Sequence, residues 1–250
     1  MPSTGGEARH LDTGGQPASF HRWSPDGRWI LYQAERRLWC VESTGGKPVE
    51  VTNDTLRGHT AAWTPDSQGV AFSGAISRPV DLLVVSLSGG NIELLDEELY
   101  AGQWWERSRP TWSPDGTRIA YVSRDTTIIT LDRSNGEKRN ITKGVGPTWS
   151  PDGERIGYIG REKGQWNLWN AAIDGSDAVR LTVGSNLKWA PSWSQDGEWV
   201  AYMEKEGSWG VWVVPAYGGR PVRLTEVSHF AGFPTWLDSN SETVIFTSPK

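Results

Sequence analysis

The 250-residue sequence predicts an all-β fold, a six-bladed β-propeller of four-stranded antiparallel blades. Two observations carry that prediction. The motif Trp-Ser-Pro-Asp-Gly recurs at Trp23–Gly27, Trp112–Gly116 and Trp149–Gly153, with looser copies beginning at Trp63, Trp193 and Trp236. After each copy an apolar run ends in an aromatic residue: Tyr32, Phe72, Tyr121, Tyr158, Tyr202 and Phe246. The anchor tryptophans lie 40, 49, 37, 44 and 43 residues apart, and a period of about 40–45 residues marks a propeller blade or another repeat array.

Within a repeat the first strand, a, ends at the anchor. Ser-Pro-Asp-Gly then forms the hairpin turn, because proline pre-sets φ and glycine supplies the left-handed residue that starts the return strand. The aromatic falls nine residues after the anchor in the first five copies and ten after it in the last, so the last turn is expected to hold one extra residue. Ser67 replaces the glycine in the second copy, where the left-handed site should be less comfortable. Strand b is the apolar run. Strand c follows at Leu38–Val41, Leu82–Val85, Ile128–Leu131, Leu168–Ala171 and Val211–Val214. A glycine turn and a short polar strand d come next, at 45–52 and 218–225, with related copies at 89–95, 135–142 and 175–182. Pro48 and Pro221 suit an outer edge, where a missing N–H faces solvent. One such unit cannot bury its apolar faces alone and needs neighbours.

The two ends read as parts of one blade. Residues 3–11 look like a strand d with no blade before it, and Val244 to Lys250 looks like a strand b with no strand c after it. Joined, they would close a single domain over residues 1–250, with strand c missing or rudimentary. No helical period of useful length is present, and apolar runs of four to five residues are too short to span a membrane. Met1-Pro2-Ser3-Thr4 lacks the charged start and apolar segment of a signal peptide. A single cysteine, Cys40, rules out an internal disulfide framework and reads as a small buried hydrophobe. A formal net charge of −5 argues against a general nucleic-acid binder.

The six tryptophan motifs, each followed by a strand ending in Tyr or Phe, together with the Gly-Gly turns at 45–46 and 218–219, resemble the TolB-like β-propeller repeat over nearly the whole chain. That resemblance implies a periplasmic or extracellular location and a domain that binds protein partners. Similar propellers also gate prolyl-oligopeptidase-type peptidases, act as sensor domains, and form oligogalacturonate lyases. Function sits in sites grafted onto the fold.

Strand order a, b, c, d alternates direction. The tight a–b and c–d turns therefore share one end of the blades, and the longer b–c loops and d–a crossovers share the other. Function favours such longer loops on a rigid scaffold. That second end collects aromatic residues. Tyr100, Trp104 and Trp105, with Arg107, precede Trp112; Trp189 precedes Trp193; Phe230 and Phe233 precede Trp236; Trp166 and Trp209 lie in or beside b–c loops. The functional reading is an aromatic-lined surface for a peptide or protein loop. The structural alternative is that these rings cap the core between blades.

The recurring aspartates Asp26, Asp66, Asp115, Asp152 and Asp196 occupy turn positions, where Asp bonds local backbone, so they are read as turn builders and not as a metal-binding ring. The Asp174–Asp177 stretch lacks the other ligands of a calcium loop. There is no Gly-x-Ser-x-Gly elbow, His-Glu-x-x-His, phosphate loop or cysteine cluster. The expected protein is thus a non-catalytic binding module without a cofactor. A second reading is a metal-dependent lyase in which His21, His59 and His229 converge as ligands. A third is a propeller excised or engineered from a larger peptidase or sensor.

Overall fold

The computed structural model describes residues 18–53, 57–75, 80–87, 92–97, 99, 109–226, 232–236 and 242–247. The chain divides into two compact units, Met1–Glu97 and Glu98–Lys250. In the first, β1 (Ser19–Trp23), β2 (Trp29–Ala34), β3 (Arg37–Glu42) and β4 (Val49–Glu50) make one sheet, and β5 (Arg57–Trp63), β6 (Gly69–Ala75), β7 (Asp81–Ser86) and β8 (Glu93–Asp96) a second. The second unit begins with β9 (Thr111–Trp112), β10 (Arg118–Val122), β11 (Thr127–Asp132) and β12 (Lys138–Lys143). It continues with β13 (Val145–Trp149), β14 (Arg155–Glu162), β15 (Gln165–Ala172) and β16 (Val179–Arg180). Next come β17 (Lys188–Trp193), β18 (Trp199–Glu206), β19 (Ser208–Pro215) and β20 (Val222–Arg223), then a hairpin of β21 (Gly232–Trp236) and β22 (Val244–Thr247).

Among the described residues the protein is therefore all-β, with five four-stranded antiparallel sheets in the order a, b, c, d and one two-stranded sheet. Each four-stranded sheet is a blade of the expected kind. The addition of residues 3–11 to the last sheet falls outside the described residues. Val49 and Val222 open edge strands directly after Pro48 and Pro221, so the missing N–H groups interrupt no ladder.

The turn chemistry repeats almost atom for atom. Ser24 Oγ donates to Asp26 Oδ1 at 2.6 Å and accepts from the Trp29 N–H at 2.9 Å, while the Arg28 N–H donates to the same carboxylate. Thr64, Ser113, Ser150 and Ser194 make the same hydroxyl–aspartate bond at 2.5–2.6 Å. All five aspartates thus serve their own turns. Gly27, Gly116, Gly153 and Gly197 take φ between 70° and 75°. Ser67 adopts the same conformation, at φ 62°, and its hydroxyl accepts from the Asp26 N–H of the adjacent sheet at 3.0 Å. That bond offsets the strain the sequence predicts there.

Hydrogen bonding holds the carboxyls of Asp26, Asp66, Asp115 and Asp152 below the usual carboxylate range, first through the Ser or Thr hydroxyl and then through the backbone N–H two residues on. A depressed folded-state value stabilises the fold above the unfolded pKa of about 4 and loses that contribution as pH falls towards the folded value. Thermal midpoints are accordingly expected to drop as pH falls below about 4, and Asp115→Asn plus Asp152→Asn should flatten that drop. An unchanged acid slope in the double variant would refute this origin.

Inside the sheets Leu31, Phe72, Ile119, Tyr121, Ile156 and Tyr202 are fully buried, each contributing about 1.5–3 kcal/mol of apolar transfer. Neighbouring sheets are stitched by the anchors. The indole N–H of Trp63 donates to the Arg22 carbonyl at 3.1 Å, that of Trp149 to Thr111 at 3.0 Å and that of Trp236 to Ser192 at 3.0 Å. Each acceptor is the residue before the preceding anchor. Trp193 differs: its indole lies against Gly157, where an added Cβ would come within 2.8 Å of Nε1. Arg155 ties two further sheets. It donates to Asn170 Oδ1 at 2.6 and 2.8 Å, and Asn170 donates onward to the Ala216 carbonyl. Its Nη1 also meets Asp177 at 2.9 Å, and the Ser176 N–H caps Asp174, so this turn is occupied by its own polar contacts. Cys40 is 1% exposed, and burial pushes its thiol up to about 11.

Candidate functional site

Among the described residues, the antiparallel order of each four-stranded sheet places the b–c ends of its strands, together with the start of strand a, at one end of the blade, as the sequence predicts. In the β17–β20 sheet this end is richest. Trp189 of β17 pairs with Met203 of β18, and Lys205, two residues further along β18, pairs with Trp209 of β19. Directly paired residues share a sheet face and side chains alternate along a strand. Trp189, Met203, Lys205 and Trp209 therefore lie on one face. The Phe233 N–H donates to Met203 Sδ at 3.1 Å, so this face is turned towards β21. In the preceding sheet Arg161 pairs with Trp166 in the same place, its guanidinium carbon 5.8 Å from the ring centre.

A one-residue bulge in β17 aims Trp189. The register shifts between Trp189 and Ser192, and Ala190 takes φ 48°. Trp189 and Trp193 are four residues apart and would share a face in a regular strand. The bulge sends them to opposite faces, with Trp193 packed on Gly157 and Trp189 beside Met203. β13 and β21 shift register at the same point, with Gly146 at φ 63° and Phe233 at φ 51°. A left-handed aromatic costs about 1–2 kcal/mol and persists only where its surroundings over-determine it. Phe233 is also 39% exposed.

The opposite face at this end holds a buried ion pair. Lys188 Nζ is fully buried, lies 3.5 Å from Glu204 Oε1 and donates to the Asn186 carbonyl at 2.9 Å. Asn186 donates to Glu204 at 2.9 Å. Burial lowers the Lys188 pKa, and Glu204 only partly restores it. Burial also raises the Tyr202 hydroxyl well above the usual phenol range, with the Glu204 charge adding to the effect. Sequence reasoning passed over this cluster, because Lys188 and Glu204 become partners only through strand register.

Of the sequence candidates, Trp166, Trp189 and Trp209 are part-buried at this end. Tyr100, Trp104, Trp105, Arg107 and Phe230 lie outside the described residues. His21 is exposed on β1; the side chain of His59 and the whole of His229 fall outside the described residues. Among the described residues no group of three His, Cys, Asp or Glu side chains is placed to hold a metal ion. The tight-turn end carries a partly open cavity of about 290 Å³ lined by Asp115, Arg118, Asp132, Glu137 and Arg139. Its charges are occupied locally, as Arg118 donates to the Gly153 carbonyl and Arg139 pairs with Glu137.

A family model described as the TolB beta propeller domain matches residues 106–250. The chain belongs to the TolB β-propeller family. Its similarity to an uncharacterised protein of Agrobacterium fabrum is 28% identity over 137 residues, 53% of this chain and 45% of that protein. The chain thus spans less than half of that relative's length. A solved putative TolB from Agrobacterium tumefaciens superposes with a TM-score of 0.69 at 22% identity, over 84% of this chain and 81% of that one. TolB from Acinetobacter baumannii gives a TM-score of 0.61 at 20% identity, over 86% of this chain and 54% of that one. Propellers of a puromycin-hydrolysing peptidase and of an oligogalacturonate lyase share the fold too, at TM-scores of 0.65 and 0.62. The TolB-type fold is therefore settled.

Proposed function

We propose that this chain is a non-catalytic binding module, a six-bladed propeller over residues 1–250, whose crossover and b–c end receives a peptide or a loop of a partner protein. The single observation that carries the proposal is the row Trp189, Met203, Lys205 and Trp209 on one sheet face, bordered by the strained, exposed Phe233. Aromatic residues give large contact area at low entropic cost and dominate binding hot spots. A bulge that re-aims one of them and a left-handed phenylalanine beside it are costs that binding would repay. Tyr100, Trp104, Trp105, Arg107, Trp166 and Phe230 belong to the same proposed surface, and family membership supports a periplasmic or extracellular location.

A peptide library displayed on phage tests the reading. Wild-type protein should enrich defined sequences, and Trp189→Ala with Trp209→Ala should abolish that enrichment while the thermal midpoint stays within a few degrees. Enrichment that survives the double substitution would place the surface elsewhere. Stoichiometric Mn, Zn or Ca in purified protein would favour the metal-dependent lyase over the non-catalytic module.

A further inference from the structure

In three consecutive sheets the strand-b aromatic is followed, three and four residues on, by a cation and a carboxylate: Arg124–Asp125 after Tyr121, Arg161–Glu162 after Tyr158, and Lys205–Glu206 after Tyr202. Each carboxylate is neutralised from its own strand d. Lys143 pairs with Asp125, Arg180 lies 2.9 Å from Glu162, and Arg223 lies 3.0 Å from Glu206. Glu204 is matched by Lys188. The cations of the three dipeptides are exposed. Among the described residues no carboxylate pairs with Arg161 or Lys205, nor with Lys163 at the tip of the β14–β15 hairpin. This end is thus locally positive on a chain of formal net charge −5.

We propose that this positive end docks an acidic, extended peptide segment with interspersed apolar side chains. Its carboxylates would meet Arg161 and Lys205, one cation from each of two consecutive blades, and its apolar side chains would pack on Trp166 and Trp209. The proposal rests on the binding reading above and adds the partner's chemistry to it. Charge complementarity steers encounter and selects against basic partners, while the rings supply the buried area. An anionic sugar chain would satisfy the cations but brings no apolar side chain to bury against Trp166 and Trp209.

Fluorescence anisotropy with labelled peptides of about eight residues, alternating Phe with Glu, Gln or Lys, tests it. The Glu peptide should bind about tenfold or more tighter than the Gln peptide, and the Lys peptide weakest. Raising NaCl from about 0.05 to 0.5 M should erase most of the Glu advantage. Arg161→Glu with Lys205→Glu should remove it too, with the thermal midpoint unchanged. Equal affinity for the Glu and Gln peptides, lost in Trp166→Ala with Trp209→Ala, would overturn the acidic partner and leave the binding surface standing. Tighter binding of polygalacturonate than of the Glu peptide would overturn the peptide in favour of a sugar chain. Binding of none of these probes would overturn the proposal outright.

Discussion

Glu204→Leu is expected to destabilise the protein by about 3–5 kcal/mol, the usual cost of stranding one charge of a buried pair. Lys188 has no exposed side-chain surface, so water cannot take the place of the carboxylate. The Asn186 carbonyl satisfies only one of the three ammonium donors. Lys188→Met combined with Glu204→Leu should recover most of the loss, because a packed apolar pair needs no desolvation. Urea unfolding of the single and the double variant reads both effects. A single variant within about 1 kcal/mol of wild type would show that Lys188 is not held charged in the folded state. The pH dependence has a definite sign. The folded Lys188 pKa is lowered, so between that value and the unfolded value of about 10.4 the unfolded chain binds more protons. Stability should therefore gain an increment as pH rises through that window, and Lys188→Met should lack it.

Gly175→Ala is expected to cost nearly as much, for a reason of shape. Gly175 turns between β15 and β16 at φ 83°, and an added Cβ would sit 2.5 Å from the Ile141 carbonyl oxygen of β12. That atom belongs to the backbone of the adjacent sheet and cannot swing aside. Gly164, in the β14–β15 hairpin at φ 84°, has nothing within 4 Å of the same position. Gly164→Ala should thus show the left-handed cost alone, about 1–2 kcal/mol. Gly175→Ala should add about 1–3 kcal/mol of overpacking. Equal losses at the two sites would mean that β12 and the β15–β16 turn part readily.

The blade was legible in the sequence because its determinants are local. Ser24, Pro25, Asp26 and Gly27 specify a turn through bonds within six residues, Ser24 to Trp29, and the same bonds recur at Thr64, Ser113, Ser150 and Ser194. The opposite ends of the blades were legible for the same reason, since strand direction follows from counting hairpins. The repeated aspartates read correctly as turn builders. The face that strand register gives Trp189 and Trp209 in common with Met203 and Lys205 was not legible.

What escaped the sequence depends on register. Arg161 and Trp166 are five residues apart and Lys205 and Trp209 four, so only the pairing across hairpins of different length makes them equivalent. Ser67 looked uncomfortable until the adjacent sheet brought the Asp26 N–H to its hydroxyl.

The sequence by itself determined the repeat, the turn chemistry and the family, because those rest on contacts between near neighbours along the chain. Tertiary structure alone decided that Lys188 would be buried against Glu204 and that a bulge at Ala190 would turn Trp189 away from Trp193. A one-residue slip in pairing moves a side chain to the other face of a sheet, and nothing in the order of residues marks where that slip occurs.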